Sequence, residues 1–267
     1  ITFDLDNTLW DVDPALIRAE EAQRQWLLQH RPGAIENYHH EELWEFKKSL
    51  WKRHPQLLHN VSAMRRQMLL ELQLAAGYPE AEAMSGAEQA FTAFLNERHR
   101  VELYEQALEV LEQLARDFSI GALTNGNADI FRTPLGRHFT FAYSAEELNS
   151  SKPQAAHFER TEKRTGAAPG EILHVGDHLE HDIKPASARG WHTLWVNQRR
   201  GSAADKRLDH TPPPGSAPSP DHAGLMSDTR PRQHTAGEAQ APQTGPVQTS
   251  TAITASPSAT ATVEDIN

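Results

Sequence analysis

Two carboxylates near the start of the chain have the spacing of a reactive pair. Asp4 and Asp6 stand two residues apart in "FDLDNT", after a short apolar segment, with Thr8 just beyond. On a strand, side chains at i and i+2 point to the same face. Like charges held so close repel, and the pKa of one rises unless a cation lies between them. The pattern predicts a metal site or a nucleophile and acid pair; an Asp-rich turn is the plain alternative.

Further polar groups follow later apolar segments. Thr124 and Asn125 end "SIGALTN", Lys152 lies in "SSKP" before a predicted helix, and Asp177 ends "EILHVGD", with Asp182 five residues on. Ligands of open parallel sheets bind at the carboxyl ends of the strands. Any one of these groups is typical of an ordinary turn or helix cap. Their recurrence at strand ends predicts that they converge with the first pair in one site.

The elements that must position these groups alternate along residues 102–198. The pattern predicts strands in "SIGALTN", "FTFAYSAEEL", "EILHVGDH" and "WHTLWVN". It predicts helices in "ELYEQALEVLEQLARDF", "KPQAAHFERTEKRTG", which stops at Gly166, and "DIKPASARG". Strands that alternate with helices indicate an α/β fold with a parallel, Rossmann-like sheet in three layers.

The segment between the first strand and this region is predicted to be entirely helical. Asp13 and Pro14 have the residue types of an N-cap and a first turn. Helices are predicted over 14–30, 40–53, 61–76 and 85–99. We expect residues 13–99 to form a cap domain that closes over a core domain made of residues 1–12 and 100–200.

Composition limits the function classes. The chain has 267 residues, a formal net charge of -10 and no cysteine, so disulfides and Cys-ligated zinc are excluded. The acidic balance argues against nucleic-acid binding. The chain has no apolar run of about 18 residues, which argues against a membrane span, and no signal peptide is visible, so we expect a cytoplasmic protein. Residues 201–267, rich in Pro, Ala, Ser and Thr, are predicted to be a disordered tail.

The motifs resemble those of one known group of enzymes. "DLDNT" at 4–8, "LTN" at 123–125, Lys152 and "GDHLEHD" at 176–182 are similar to the four motifs of haloacid dehalogenase (HAD) superfamily phosphatases with a helical cap. More narrowly, the chain resembles bacterial phosphatases that act on the flavin-pathway intermediate 5-amino-6-(5-phospho-D-ribitylamino)uracil. The resemblance covers about residues 1–200.

The resemblance implies a Mg²⁺-dependent phosphomonoester hydrolase with an aspartyl-phosphate intermediate. Asp4 would be the nucleophile and Asp6 the general acid and base. The metal ligands would be the Asp4 carboxylate, the Asp6 backbone carbonyl and Asp177, with Asp182 orienting the metal's waters. Thr124 and Asn125 would bind phosphate oxygens. The substrate would be a small phosphorylated metabolite, such as the ribitylamino-uracil phosphate or flavin mononucleotide.

The roles of Lys152 and Thr8 complete this set. Lys152 would offset the charge of the phosphate and Asp4 together, and Thr8 would be a structural hydrogen-bonding group.

Within the cap, we expect Trp26, Trp44 and Trp51 in the core and Arg65 and Arg66 exposed, although Trp stacking on a ring and an Arg–substrate contact stay open. His39 and His40 are expected at the surface. Zinc at His178 and His181 is disfavoured, because no third nitrogen ligand is evident.

Other functions stay open at this point. A 2-haloacid dehalogenase needs no leaving-group acid and no metal, and that group usually lacks the second Asp, so Asp6 favours phosphoryl chemistry. A sugar phosphomutase of the same fold would keep the aspartyl phosphate and return it to the sugar. A non-catalytic phosphoacceptor signalling domain also uses acidic groups, a Thr and a Lys, but it is shorter and lacks a cap. The sequence does not indicate an oligomeric state.

Overall fold

A parallel sheet of five short strands positions the polar groups described above. The computed structural model describes residues 1–36, 38 and 40–196, without the side chains of residues 40 and 41. The strands are β1 (Thr2–Phe3), β2 (Gly121–Thr124), β3 (Phe141–Ser144), β4 (Leu173–Gly176) and β5 (His192–Trp195). Their order is β3-β2-β1-β4-β5, and every pair is parallel. The chain that follows β1 therefore leaves the sheet between β2 and β4.

The helices follow the predicted pattern with shifted boundaries. Four lie between β1 and residue 100: α1 (Val12–His30), α2 (His40–Arg53), α3 (Val61–Ala75) and α4 (Glu80–Arg98). The others are α5 (Ala107–Leu114), α6 (Ala145–Leu148), α7 (Ala156–Thr165) and α8 (Lys184–Ala188). Gly166 ends α7 with a φ of 67°, as predicted for a C-terminal glycine.

The helix starts differ from the prediction, and α1 and α4 show local reasons for the difference. The N-cap of α1 is Asp11 and not Asp13, because the Asp11 carboxylate accepts a hydrogen bond from the Asp13 backbone N–H at 3.0 Å. α4 begins at Glu80 rather than near residue 85, with Pro79 at the N-cap position. Glu80 and Glu82 in its first turn favour this earlier start, since acidic side chains stabilise a helix N-terminus.

Apolar clusters cover both faces of the sheet, which confirms the three-layer α/β prediction. On β2, Ala122 belongs to a cluster with Leu111 of α5, and Leu123 belongs to a second cluster with Phe158 of α7. Neighbouring strand residues point to opposite faces, so the two clusters lie on opposite sides of the sheet. Gly121 permits close packing of β3, because a Cβ there would meet the Phe141 ring at 2.2 Å.

The helical insert has apolar cores of its own. One joins α1, α3 and α4 and includes Leu16, Leu69 and Phe91, and the other lies around Leu50 and Met64. Self-contained packing of this kind supports the predicted division into a core (1–12 and 100–200) and a cap (13–99), which stays a prediction.

The tryptophans of the insert do not share one environment. Trp26 packs against the core of α1, α3 and α4, as predicted. Trp51 is likewise partly buried and packs against the core around Leu50 and Met64, as predicted. The prediction is wrong for Trp44, whose exposed fraction is 37%. Trp44 and Trp51 both lie on α2, whose Leu50 is buried in the second of these cores.

Two expectations concern parts of the chain outside this description. The predicted tail at 201–267 and the side chains of His39 and His40 lie outside the described residues. Across the residues that the structure covers, none of the helices combines the length and the apolar character needed to cross a membrane.

Candidate active site

Asp4 and Asp6 lie in the turn that follows β1. The Asp4 backbone N–H donates to the Val175 carbonyl at 2.8 Å, so the sheet contact with β4 extends one residue beyond the strand. Asn7 then turns the chain with a φ of 63°. β1 ends at Phe3, so the two residues lie just beyond the strand, and both side chains line the same cavity. Their carboxylates meet different partners, and this difference separates their chemistry.

Lys152 is the cation at the centre of the site. Its side chain is 1% exposed, and its Nζ donates to Asp4 Oδ1 at 2.8 Å, Asp182 Oδ1 at 2.6 Å and the Leu123 carbonyl at 2.6 Å. Burial alone would lower the pKa of Lys152, but the carboxylates of Asp182 and Asp4 raise it above its ordinary value. The ammonium therefore stays charged and connects the turn after β1 with the segment after β4.

Asp182 has both carboxylate oxygens engaged. Oδ1 accepts from Lys152 and lies 3.2 Å from His174 Nε2, and Oδ2 accepts from the His178 backbone N–H at 3.1 Å. Burial opposes ionisation, but Lys152 and His174 hold the pKa of Asp182 below its ordinary value. Gly176 allows this close approach, because a Cβ there would lie 2.5 Å from the Asp182 Cγ.

Three carboxylates form a group that fits a hard divalent cation. Asp4, Asp177 and Asp182 each offer an oxygen, and these atoms lie within 4.8 Å of one another. An all-oxygen donor set suits Mg²⁺. Burial and the neighbouring Asp182 and Asp177 carboxylates raise the pKa of Asp4, while Lys152 lowers it; the pKa ends well above its ordinary value. A nearby cation favours the ionised form of such a carboxyl group.

The Asp6 carboxylate is held by two donors that the sequence did not predict. Trp10 Nε1 donates to Asp6 Oδ1 at 2.8 Å, and Arg98 Nη2 donates to Asp6 Oδ2 at 2.5 Å. Arg98 ends α4, is 1% exposed and also donates from Nε to Asn127 Oδ1 at 3.2 Å. A buried ion pair thus joins the helical insert to the turn after β1. No local pattern marks Arg98, which resembles any basic residue in the last turn of a helix.

Thr124 ends β2 and Asn125 follows it, as predicted, and their side chains have local partners. Thr124 Oγ1 accepts from the Gly126 backbone N–H at 3.0 Å. The Asn125 amide donates to the Lys152 carbonyl at 3.0 Å and accepts from the Lys152 N–H at 2.8 Å. The amide therefore fixes the backbone of the central lysine, and its contact with phosphate stays a prediction. Thr8 donates to Asp4 Oδ2 at 3.2 Å, which fits the structural role expected of it.

A buried histidine beneath the site makes stability depend on pH. His157 Nε2 lies 3.2 Å from the Thr124 carbonyl, and burial and then Lys152 lower the pKa of His157 to about 3 from 6.5. The unfolded chain binds a proton at this imidazole below about pH 6.5, but the folded chain does not. Above that pH, this imidazole does not reduce the free energy of unfolding. Below it, the free energy of unfolding decreases as the pH falls towards 3, by about 1.4 kcal/mol per pH unit.

We therefore expect His157→Gln to weaken the decline in the free energy of unfolding between pH 6.5 and pH 4. Urea unfolding at several pH values measures this slope. His192→Gln, at an exposed imidazole, is the matched control and should leave the slope near that of the wild type. An unchanged slope in His157→Gln would contradict a neutral buried imidazole.

A cavity of about 360 Å³ lies between the sheet and the helical insert. At the sheet it reaches Asp4, Asp177 and the stacked rings of His178 and His181, whose centres are 3.9 Å apart. In the insert its lining includes Arg65, whose side chain beside Glu20 is only 12% exposed, so the expectation of an exposed Arg65 is wrong. Arg66 is half-exposed and pairs with Glu88, so the expectation of exposure holds only in part.

Comparisons with known proteins agree with this architecture. The chain is 31% identical over 201 residues (75% of this chain and 84% of the relative) to the Escherichia coli 5-amino-6-(5-phospho-D-ribitylamino)uracil phosphatase YigB. It is 28% identical over 218 residues (77% and 85%) to the glyceraldehyde 3-phosphate phosphatase of Methanopyrus kandleri. A solved structure described as a 2-haloacid dehalogenase from Pseudomonas syringae has a TM-score of 0.71 and 39% identity, covering 77% of this chain and 90% of that one.

A family model supplies the assignment. The model described as haloacid dehalogenase-like hydrolase matches residues 1–190, which include β1, the helical insert and β2 to β4. Every residue of the candidate site lies within this span. The match confirms the resemblance inferred from the motifs, and the chain belongs to the haloacid dehalogenase-like hydrolases.

Proposed function

We propose that the enzyme is a Mg²⁺-dependent phosphomonoesterase in which Asp4 attacks phosphorus and forms an aspartyl phosphate. The observation that carries this proposal is the group of buried Asp4, Lys152 and Asp182 with partly exposed Asp177 in the lining of the cavity. Phosphoryl transfer depends mainly on positioning and on neutralising the phosphate oxygens. Lys152 supplies positive charge, and a bound ion would add more, which an anionic substrate requires beside an anionic nucleophile.

Asp4, Asp177 and the Asp6 backbone carbonyl would hold the ion, and Asp182 would orient its waters. The ion, when bound, would neutralise phosphate oxygens. Asp182 is suited to an orienting role because its oxygens are already engaged by Lys152, His174 and the His178 N–H. Thr124 would bind a phosphate oxygen through its hydroxyl, and Asn125 would act by positioning the lysine.

Asp6 would protonate the leaving oxygen and then take a proton from the attacking water. Trp10 and Arg98 are both donors, so the observed contacts favour the ionised carboxylate that acts as the base. The acid role requires that Asp6 Oδ2 exchange its contact with Arg98 for one with the leaving oxygen. Because Arg98 belongs to α4, movement of the helical insert would be coupled to this exchange.

The substrate would be a small phosphorylated metabolite with a ribitylamino-uracil or flavin group. The similarity to the Escherichia coli enzyme supports this class. The 39% identity to the solved structure of a 2-haloacid dehalogenase favours dehalogenation as a second candidate function. The position of Asp6, beside Asp4 and within the cavity lining, favours phosphate release, because dehalogenation needs no leaving-group acid.

Phosphate release from a panel of phosphomonoesters, with Mg²⁺ and with excess chelator, tests the function. The panel should contain ribitylamino-uracil phosphate, flavin mononucleotide, glyceraldehyde 3-phosphate and nitrophenyl phosphate. A parallel assay should follow halide release from 2-chloropropionate. We expect Mg²⁺-dependent phosphate release and no halide. Halide release without phosphate release would replace the proposal with the dehalogenase.

Substitution Asp6→Asn should produce a loss that depends on the leaving group. An alkyl phosphate needs protonation of its leaving oxygen, whereas nitrophenolate leaves without it, so kcat/KM should fall more for flavin mononucleotide than for nitrophenyl phosphate. Loss of the base should also slow the second step. Acid quench and mass analysis should then find phosphate on the peptide that carries Asp4. Equal losses without a phosphorylated peptide would assign Asp6 a structural role.

A further inference from the structure

Within the part of the chain that the structure describes, one acidic side chain in the cavity has an oxygen without a hydrogen-bond partner. Glu20 of α1 is 5% exposed and lines the same cavity as Asp4. Its Oε1 accepts from Arg65 Nη2 at 3.3 Å, whereas Oε2 is enclosed and has no hydrogen-bond partner among the described residues. Leaving a buried charged acceptor unsatisfied is unfavourable. Such an oxygen in a ligand cavity is suited to accept a hydrogen bond from the ligand.

The contacts of Arg65 determine which carboxylate oxygen of Glu20 stays available to a ligand. The Arg65 guanidinium lies 3.8 Å from the centre of the Phe94 ring and also donates from Nη1 to Gln23 Oε1 at 3.4 Å. Gln23 is 2% exposed. Stacking and two acceptors therefore hold Arg65 in place, and Arg65 in turn holds Glu20 Oε1. The pair is pre-organised, with Oε2 left to receive a donor.

A cation of the insert provides a complementary group. Lys47 of α2 is half-buried in the cavity lining, and its Nζ lies 5.9 Å and 5.8 Å from the ring centres of Trp44 and Trp51. It forms no ion pair within the described part of the chain. Burial and then the neighbouring Arg65 lower the pKa of Lys47 to about 8, while Glu20 opposes this shift. Its ammonium is available to donate to a carbonyl oxygen.

We propose that Glu20 and Lys47 form a specificity site for the leaving group, and that this site recognises a flat ring with a cyclic amide or imide edge. The ring N–H would donate to Glu20 Oε2, and the adjacent carbonyl would accept from Lys47. Trp44 and Trp51 supply aromatic surface beside this edge. The cavity of about 360 Å³ lies within the range of small-molecule sites. This inference rests on the proposed phosphatase function and names the residues that would select its substrate.

The test compares specificity ratios in single variants. The ratio is kcat/KM for flavin mononucleotide, which has an imide edge, divided by kcat/KM for nitrophenyl phosphate, which has none. We expect Lys47→Met and Glu20→Gln each to lower the ratio about tenfold or more, because a site built for polar contacts rejects ligands that leave it unpaired. Lys48→Met and Glu21→Gln are the matched controls, since Lys48 pairs with Glu45 and Glu21 is exposed. Equal losses for both substrates would overturn the proposal.

A change in the ligand identifies the contact with Glu20. Methylation of the imide nitrogen of flavin mononucleotide removes its N–H. We expect this change to lower the wild-type kcat/KM about tenfold and to lower that of Glu20→Gln by much less. A wild-type enzyme that treats the two substrates alike would overturn the assignment of Glu20.

Binding of riboflavin separates this inference from the proposed function. Quenching of riboflavin fluorescence reports the ring site without turnover, and nitrophenyl phosphate hydrolysis reports the chemistry without the ring. Hydrolysis of nitrophenyl phosphate without riboflavin binding would overturn the specificity site and leave the phosphatase intact. Riboflavin binding that is weakened in Lys47→Met and Glu20→Gln would support the site even if no phosphate were released.

Discussion

Substitution Asp4→Asn is expected to lower turnover by at least about 1,000-fold with every phosphomonoester, because an amide cannot form the aspartyl phosphate. The fold should persist. Asn keeps an oxygen that can accept from Lys152, which in this structure donates to Asp4 Oδ1 at 2.8 Å, and Lys152 also keeps Asp182. Steady-state phosphate release and thermal unfolding measure the two properties.

Exposed Asp117 provides the matched control for this substitution. Asp117→Asn removes the same charge at a residue outside the cavity lining and should retain wild-type turnover. Excess chelator should reproduce the loss in the wild type, since three carboxylates within 4.8 Å of one another form the candidate metal site. Near-normal turnover of Asp4→Asn, or full activity in chelator, would contradict the proposed mechanism.

Substitution Lys152→Met is expected to have the largest effect on stability. It removes a buried ammonium that donates hydrogen bonds to Asp4, Asp182 and the Leu123 carbonyl. Two buried carboxylates are then left without their cation. Removing one partner of a buried ion pair lowers the free energy of unfolding by about 3–5 kcal/mol. Urea unfolding at pH 7 measures the loss, and phosphate release should be abolished in the same protein.

A second substitution separates the charge effect from loss of packing. Lys152→Met combined with Asp182→Asn removes one of the uncompensated charges, so the double variant should be less destabilised than the sum of the single changes predicts. Lys163→Met, at an exposed position of α7, is the control and should unfold like the wild type. A Lys152→Met protein within about 1 kcal/mol of the wild type would show that the ion pairs contribute little to stability.

Much of the architecture could be predicted because its signals are local. Alternation of apolar strands with helices predicted the parallel sheet, and Gly166 marked the end of α7. The candidate residues could be selected because they recur at the ends of strands, where a parallel sheet brings them together. Helix starts were less predictable. Asp11 and Asp13 are both plausible caps, and only the observed contact from the Asp13 N–H distinguishes them.

The partners of the catalytic groups depended on tertiary structure. The sequence determined that Asp4 and Asp6 form a close pair after a strand, but the end of β1 at Phe3 gave them different environments. Arg98 reaches Asp6 across 92 positions of sequence. No periodicity encodes such a contact, because it requires the last turn of α4 to meet the turn after β1.

The burial of the side chains that line the cavity also depended on tertiary structure. The sequence determined that the insert is helical and carries aromatic and basic residues, and it favoured burial of the tryptophans and exposure of the arginines. The structure reversed both for Trp44 and Arg65, because helix packing placed one at the edge of the insert and the other beside Glu20. Sequence therefore determined which chemistry-bearing groups exist and near which strand ends they lie. Tertiary packing decided which of them are paired, which is what determines charge, reactivity and recognition in a buried site.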